Sequence, residues 1–136
     1  MDKEAFALKF RRNANSLAVR YGAPVLLVGG ALVDEFPRDY DVRIILSEED
    51  HKRQFKGVSG QIRDVKYLND FEDWEWRRGY DCLKHSRILS QRMRMCVDFQ
   101  IQSEHEAQAY KELPNFRLDT APDWFFKAGK KGMENG

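Results

Sequence analysis

Apolar positions along the first third of the chain follow two different periods. Over residues 3–21, Phe6, Phe10, Ala14, Leu17 and Tyr21 fall on one stripe at spacings of three and four, which predicts an amphipathic helix. Gly22 stops it and Pro24 excludes its continuation. Val25-Leu26-Leu27-Val28 is then a fully apolar run, the pattern of a buried strand, and it ends at Gly29-Gly30. Residues 31–35 have room for one helical turn before Phe36-Pro37, and residues 39–46 read as a second strand. Ser47 followed by Glu48, Glu49 and Asp50 has the form of a helix N-terminus, so 48–56 is expected as a surface helix that Gly57 and Gly60 close.

The remainder has mixed signals. Residues 62–68 have the β-branched and aromatic content of a third strand, and 69–81 read as a helix or ordered loop. From Arg92 to Ile101 the chain alternates, with Met93, Met95, Val97, Phe99 and Ile101 on one face and Arg92, Arg94, Cys96, Asp98 and Gln100 on the other. That predicts a half-buried strand over 92–101, with 83–89 as its hairpin partner and a turn near Ser90-Gln91. Ser103-Glu104-His105-Glu106 is a capping box opening a helix that ends before Pro114. Trp124-Phe125-Phe126 is expected to dock back on the core, and 127–136 to form a polar, frayed tail. The order of elements implies an α/β (α+β) fold, a small mixed sheet with helices mainly on one face.

Length and composition narrow this to one domain. A chain of 136 residues with 42% hydrophobic content can build one core but not two. With 23 basic against 22 acidic residues, no global field selects a nucleic acid or an anionic membrane, and local patches must carry any such role. No apolar run approaches a membrane span and the N-terminal residues lack a signal-peptide core, so the expected location is cytoplasmic. Cys82 and Cys96 do not make a disulfide framework and read as free thiols.

The chemistry concentrates in 25–46 and near 98. Because strand side chains alternate, Asp39 and Asp41 project from the same face. Two carboxylates about 4 Å apart repel by ~4 kcal/mol at an effective dielectric constant of about 20, so a cation belongs between them, and Mg²⁺ is the oxygen-seeking ion such a pair holds. Gly29 and Gly30, lacking side chains just past a strand, let backbone N–H groups approach an anion. Asp98 lies on the polar face of its own strand and converges with Asp39 and Asp41 if the two strands are neighbours. Taken singly, a Gly-Gly pair is a tight turn and an Asp-x-Asp pair a solvated surface; the three features together point to a shared site.

Arg38, Arg43, Arg92 and Arg94 read equally as phosphate ligands or as ion-pair partners that neutralise the acids. Lys84, Arg87, Arg92 and Arg94, with no acid between 84 and 94, form an electropositive ridge that could seat an RNA end or a triphosphate. His51, His85 and His105 lack ligand spacing. Trp74 and Trp76 read as core packing ahead of base stacking.

The order apolar strand, Gly29-Gly30, short spacer, Asp39-Tyr40-Asp41-Val42 and later Val97-Asp98-Phe99-Gln100-Ile101 resembles the polymerase-β-type nucleotidyltransferase superfamily, closest to its minimal single-domain members. The likeness covers roughly residues 25–101. It implies that Gly29 and Gly30 hold a triphosphate, that Asp39 and Asp41 ligate Mg²⁺, and that Asp98 is the third acid. Asp98 would complete a two-metal site, in which Mn²⁺ could replace Mg²⁺, or take a proton from an attacking hydroxyl. The implied reaction moves a nucleoside monophosphate from an NTP to a hydroxyl on an RNA end, a protein side chain or a small molecule, releasing pyrophosphate. This chain has Gly30 where the family often has serine, an eight-residue spacer (31–38), and 56 residues (42–97) between the second and third acids, which implies an insertion near 60–85. Two other classes compete: a nucleotidyltransferase-like module that binds a nucleotide or macromolecule without catalysis, as a regulatory or inhibitory subunit, and, ranked below it, a metal-dependent nuclease. Against the nuclease, Gln100 stands where an acid two residues earlier is commonly paired with lysine.

Overall fold

In a computed structural model, residues 1–55, 73–108 and 114–126 are described. The amphipathic stripe of 3–21 becomes α1 (Lys3–Tyr21), with Asp2 accepting the Ala5 N–H at 2.9 Å at its start and Gly22 in the left-handed conformation at its end. Next come β1 (Val25–Val28), a 3-10 turn over Gly29–Leu32, β2 (Asp39–Leu46) and α2 (Glu48–Phe55). A long helix, α3 (Asp73–Met93), leads to β3 (Cys96–Ser103), and β4 (Phe116–Arg117) closes the sheet. The strands lie in the order β3-β2-β1-β4; β2 and β3 are parallel, and the β1/β2 and β1/β4 pairs are antiparallel. The fold is thus a mixed α+β sheet with helices.

Alternation positions the core. Tyr40, Val42, Ile44 and Leu46 of β2 and Val97, Phe99 and Ile101 of β3 are buried in one cluster with the α1 stripe and with Leu89 and Met93 of α3. Phe6 stacks on Tyr40 with ring centroids 4.1 Å apart, and Tyr21 meets Phe99 at 6.1 Å. The other side of the same two strands carries Asp39, Asp41 and Arg43 beside Cys96, Asp98 and Gln100.

The hairpin expected over 83–91 is not formed. These residues belong to α3, and the strand expected over 92–101 begins at Cys96, because Arg92 and Met93 are the last turn of the helix. The buried positions Cys82, Leu89 and Met93, spaced seven and four apart, follow the helical period; the alternation from 92 to 95 is the accidental join of a helix end to a strand start. Arg94 takes a left-handed conformation, φ 56°, in the connection and is not on a strand face.

The third helix also protects the edge of the sheet. Ser90 Oγ accepts the Val97 N–H at 2.9 Å, Ser86 Oγ accepts the Phe99 N–H at 2.8 Å, and Cys82 Sγ accepts the Ile101 N–H at 3.3 Å. Four helical residues rise about 6 Å and two strand residues about 6.6 Å, so a helix running antiparallel to β3 keeps this pairing in step. The outward N–H groups of an edge strand, which otherwise invite pairing with another chain, are satisfied here by side chains.

The capping box is formed reciprocally: the Ser103 N–H donates to Glu106 Oε1 at 3.1 Å and the Glu106 N–H donates to Ser103 Oγ at 3.2 Å. Phe126 packs against the core while Trp124 stays exposed. The strand expected over 62–68, residues 69–72, the end of the helix expected before Pro114, and the tail from 127 lie outside the described residues. Among the described residues no helix is long and apolar enough to cross a membrane.

Candidate active site

The parallel pairing of β2 with β3 sets the site. Its register puts Asp41 opposite Asp98 and Asp39 opposite Cys96, so the third acid sits beside the second on the neighbouring strand, about 4.8 Å away along the hydrogen-bonding direction. Register across β1/β2 puts Val28 opposite Asp41, and the chain turns immediately afterwards at Gly29. Gly29 has φ 79°, and a Cβ built there would lie 2.7 Å from Asp41 Oδ2. A side chain here would be strained at this φ and would push the carboxylate aside, which is why glycine suits the turn. Gly30 is exposed, and its carbonyl accepts the N–H groups of Val33 at 3.1 Å and Asp34 at 3.0 Å, which holds the turn.

Arg43 ties the two strands together. Its Nη2 lies 3.5 Å from Asp98 Oδ2 and 3.8 Å from Asp41 Oδ1, and its Nη1 donates to the carbonyls of Asp98 and Val42, both at 3.1 Å. The side chain is 11% exposed and its Nε is buried without a hydrogen-bond partner. Gln100 Nε2 donates to Asp98 Oδ1 at 3.1 Å and fixes the other oxygen of that carboxylate. The place of Gln100 two residues after Asp98 puts it on the same strand face, which is the one sequence signal of its positioning role.

Burial pushes the Asp41 carboxyl above the usual carboxylate range; Arg43 opposes the shift, whereas the charges of Asp39 and Asp98 and hydrogen bonding to Asp98 add to it. The net direction is upward, so the guanidinium does not fully offset the desolvation and like-charge repulsion on this face. Asp39 is exposed, and among the described residues no group of three or more His, Cys, Asp or Glu side chains is gathered as a metal cage. The donor set nonetheless suits a hard divalent ion in chemistry and charge: three carboxylates share one side of two paired strands with a single arginine.

The structure therefore brings together Gly29, Asp41, Asp98 and Arg43, with Asp39 two residues before Asp41 on the same strand face. It does not bring Arg38 or Arg94 into an ion pair with these acids; both are exposed. No protein-family model, curated protein or solved structure matches the chain.

Proposed function

We propose that the chain is a metal-dependent nucleotidyltransferase that transfers a nucleoside monophosphate from an NTP to a hydroxyl acceptor. The observation that carries this reading is the in-register pairing of Asp41 with Asp98, hard against the Gly29 turn. Asp39, Asp41 and Asp98 would hold Mg²⁺, which when bound supplies the positive charge that the phosphate oxygens need. The protein's own part is positioning. Gly29 and Gly30 present backbone free of side chains to the triphosphate, and Arg38, exposed just before β2, offers it a guanidinium. Gln100 and Arg43 orient the Asp98 carboxylate, which takes the proton of the attacking hydroxyl. A new bond forms between that oxygen and the α-phosphorus, and the bond from the α-phosphorus to pyrophosphate breaks.

Arg43 favours a second reading. A mostly buried guanidinium anchored on carbonyls of both strands, beside two carboxylates, is an internal substitute for a cation, as a non-catalytic nucleotide-binding module would need.

The test is incubation with each of the four α-labelled NTPs, Mg²⁺ and a cell extract as the source of acceptor, comparing the natural chain with Asp41→Asn and Asp98→Asn. Enzyme action gives labelled acceptor that falls by at least about a hundredfold in either variant. Labelling that persists in Asp41→Asn removes the assigned site. NTP binding by calorimetry that needs no Mg²⁺ and releases no pyrophosphate supports the binding module instead.

A further inference from the structure

The helical layer, on the other side of the sheet from the carboxylates, holds a second concentration of charge. A cavity of about 240 Å³ lies between α1 and α3, lined by Asn13, Ser16 and Arg20 from the first helix and by His85, Ile88 and Arg92 from the third. The positions recur at helical spacing in both helices, with Arg92 against Asn13 at one end of the groove and His85 beside Tyr21 at the other, so the two helices run antiparallel along it.

The charges in this groove are not neutralised. Arg92 Nη1 donates to the neutral Asn13 Oδ1 at 3.1 Å, and the Arg20 guanidinium lies over the Tyr21 ring at 5.5 Å. Among the described residues neither arginine has a carboxylate within ion-pair distance. His85 is held edge-on to Tyr21 at 5.8 Å and to Phe99 at 5.2 Å, and its Nε2 is buried without a hydrogen-bond partner. A buried ring nitrogen without a partner is costly unless a ligand or water supplies one. The charged groups facing this imidazole are Arg20, Lys84 and Arg92, opposed by Asp81, which accepts the Tyr21 hydroxyl at 3.2 Å. Burial and those three cations together depress its pKa.

We infer that this groove is an oxyanion site for a phosphate group, with Arg20 and Arg92 as the charged clamp, Asn13 and Ser16 as neutral hydrogen-bonding groups, and His85 at its base. Two guanidiniums not engaged by acids are the chemistry that recognises phosphate, and the small cavity suits one phosphoryl group rather than a run of stacked bases. The site is separate from the carboxylate face and does not depend on nucleotidyl transfer.

The test uses the full chain at fixed pH and 150 mM NaCl, following histidine side-chain and backbone NMR signals during titration with inorganic phosphate, 5′-phosphorylated hexauridylate and its unphosphorylated form. Saturable shifts at Arg20, His85 and Arg92 are expected, with affinity falling by about tenfold or more in the Arg20→Gln/Arg92→Gln double variant and recovering in part in Arg20→Lys/Arg92→Lys. Phosphate alone sufficing identifies a small-anion site; a requirement for the 5′-phosphate identifies a strand end. Equal binding of both oligonucleotides, with a log–log slope of about −1.4 or steeper when the titrations are repeated over a series of NaCl concentrations, overturns the single-phosphoryl assignment. No saturable shift with any probe, or shifts that the double glutamine variant leaves unchanged while its thermal melt stays intact, overturns the inference.

Discussion

Replacing Gly29 with alanine should cost the fold more than any other single methyl group added to the sheet's polar side. Two causes add. An L-residue at φ 79° bears roughly 1–2 kcal/mol of steric strain, and a Cβ only 2.7 Å from Asp41 Oδ2 forces the carboxylate off its position for about another 1 kcal/mol. The expected loss is about 2–3 kcal/mol, which in a domain of this size lowers Tm by roughly 8–12 °C. Urea unfolding followed by circular dichroism gives the free energy, with m unchanged if only stability moves. The two causes separate in a double-mutant cycle with Asp41→Ala: without the carboxylate the contact vanishes and the backbone strain remains, so the cycle should return a coupling of about 1 kcal/mol. Equal cost of Gly29→Ala in both backgrounds would mean that Asp41 does not press on Gly29, and the site geometry built on that contact would fall. A neutral Gly29→Ala would refute both parts.

Further outcomes follow from other contacts. Because burial and like charges raise the folded-state pKa of Asp41, the native state holds this proton to higher pH than the unfolded state does; the group therefore costs stability increasingly as pH rises from the ordinary aspartate value through the raised one. Asp41→Asn should accordingly melt above the natural chain at neutral pH, and the gap should close as pH falls below about 4, which thermal melts across pH will check. Ser90→Ala leaves the Val97 N–H without its acceptor and should lose about 1–2 kcal/mol, read as faster amide exchange at Val97 and greater self-association through β3. Arg94→Gly relieves a left-handed arginine after α3 and should gain about 0.5–1 kcal/mol in denaturant unfolding; a loss would show that the Arg94 side chain contributes more than its backbone strain costs.

The elements that were legible in the sequence are those whose local and tertiary signals agree. The α1 stripe ends on Gly22, the apolar 25–28 run ends on Gly29, and the alternation of 39–46 matches its burial. The polar face of β2 followed from period two alone, so Asp39 and Asp41 were readable as neighbours, and Asp98 as facing the same way once its strand was paired. What local pattern could not supply was the partner of β3. Residues 83–91 sit against the edge of that strand, but as a helix, and the Cys82, Ser86, Ser90 series that accepts its N–H groups is too polar to register as a buried stripe. The two-residue β4 was equally illegible, since its place depends on distant contacts such as Asp119 Oδ1 accepting the Val25 N–H at 2.8 Å. Arg43 was visible as a charge on the right face, but its anchoring on the carbonyls of two strands depends on the parallel register.

That anchoring decides how the two functional readings should differ in experiment. A guanidinium fixed by carbonyls is present whether or not an ion arrives, so its charge is a constant offset, one positive charge against the three carboxylates of Asp39, Asp41 and Asp98 on this face. A surplus of negative charge in one place is the condition under which a divalent ion binds and a proton is released. For the enzyme reading, adding Mg²⁺ should lower the apparent pKa of Asp41 and stabilise the fold, and Arg43→Met should tighten ion binding at the expense of stability without ion. For the binding-module reading, Arg43 already serves as the cation, so Mg²⁺ should leave Tm and the Asp41 titration unmoved in the natural chain and act only in Arg43→Met. Thermal melts of both chains with and without Mg²⁺ therefore separate the readings before any acceptor is known.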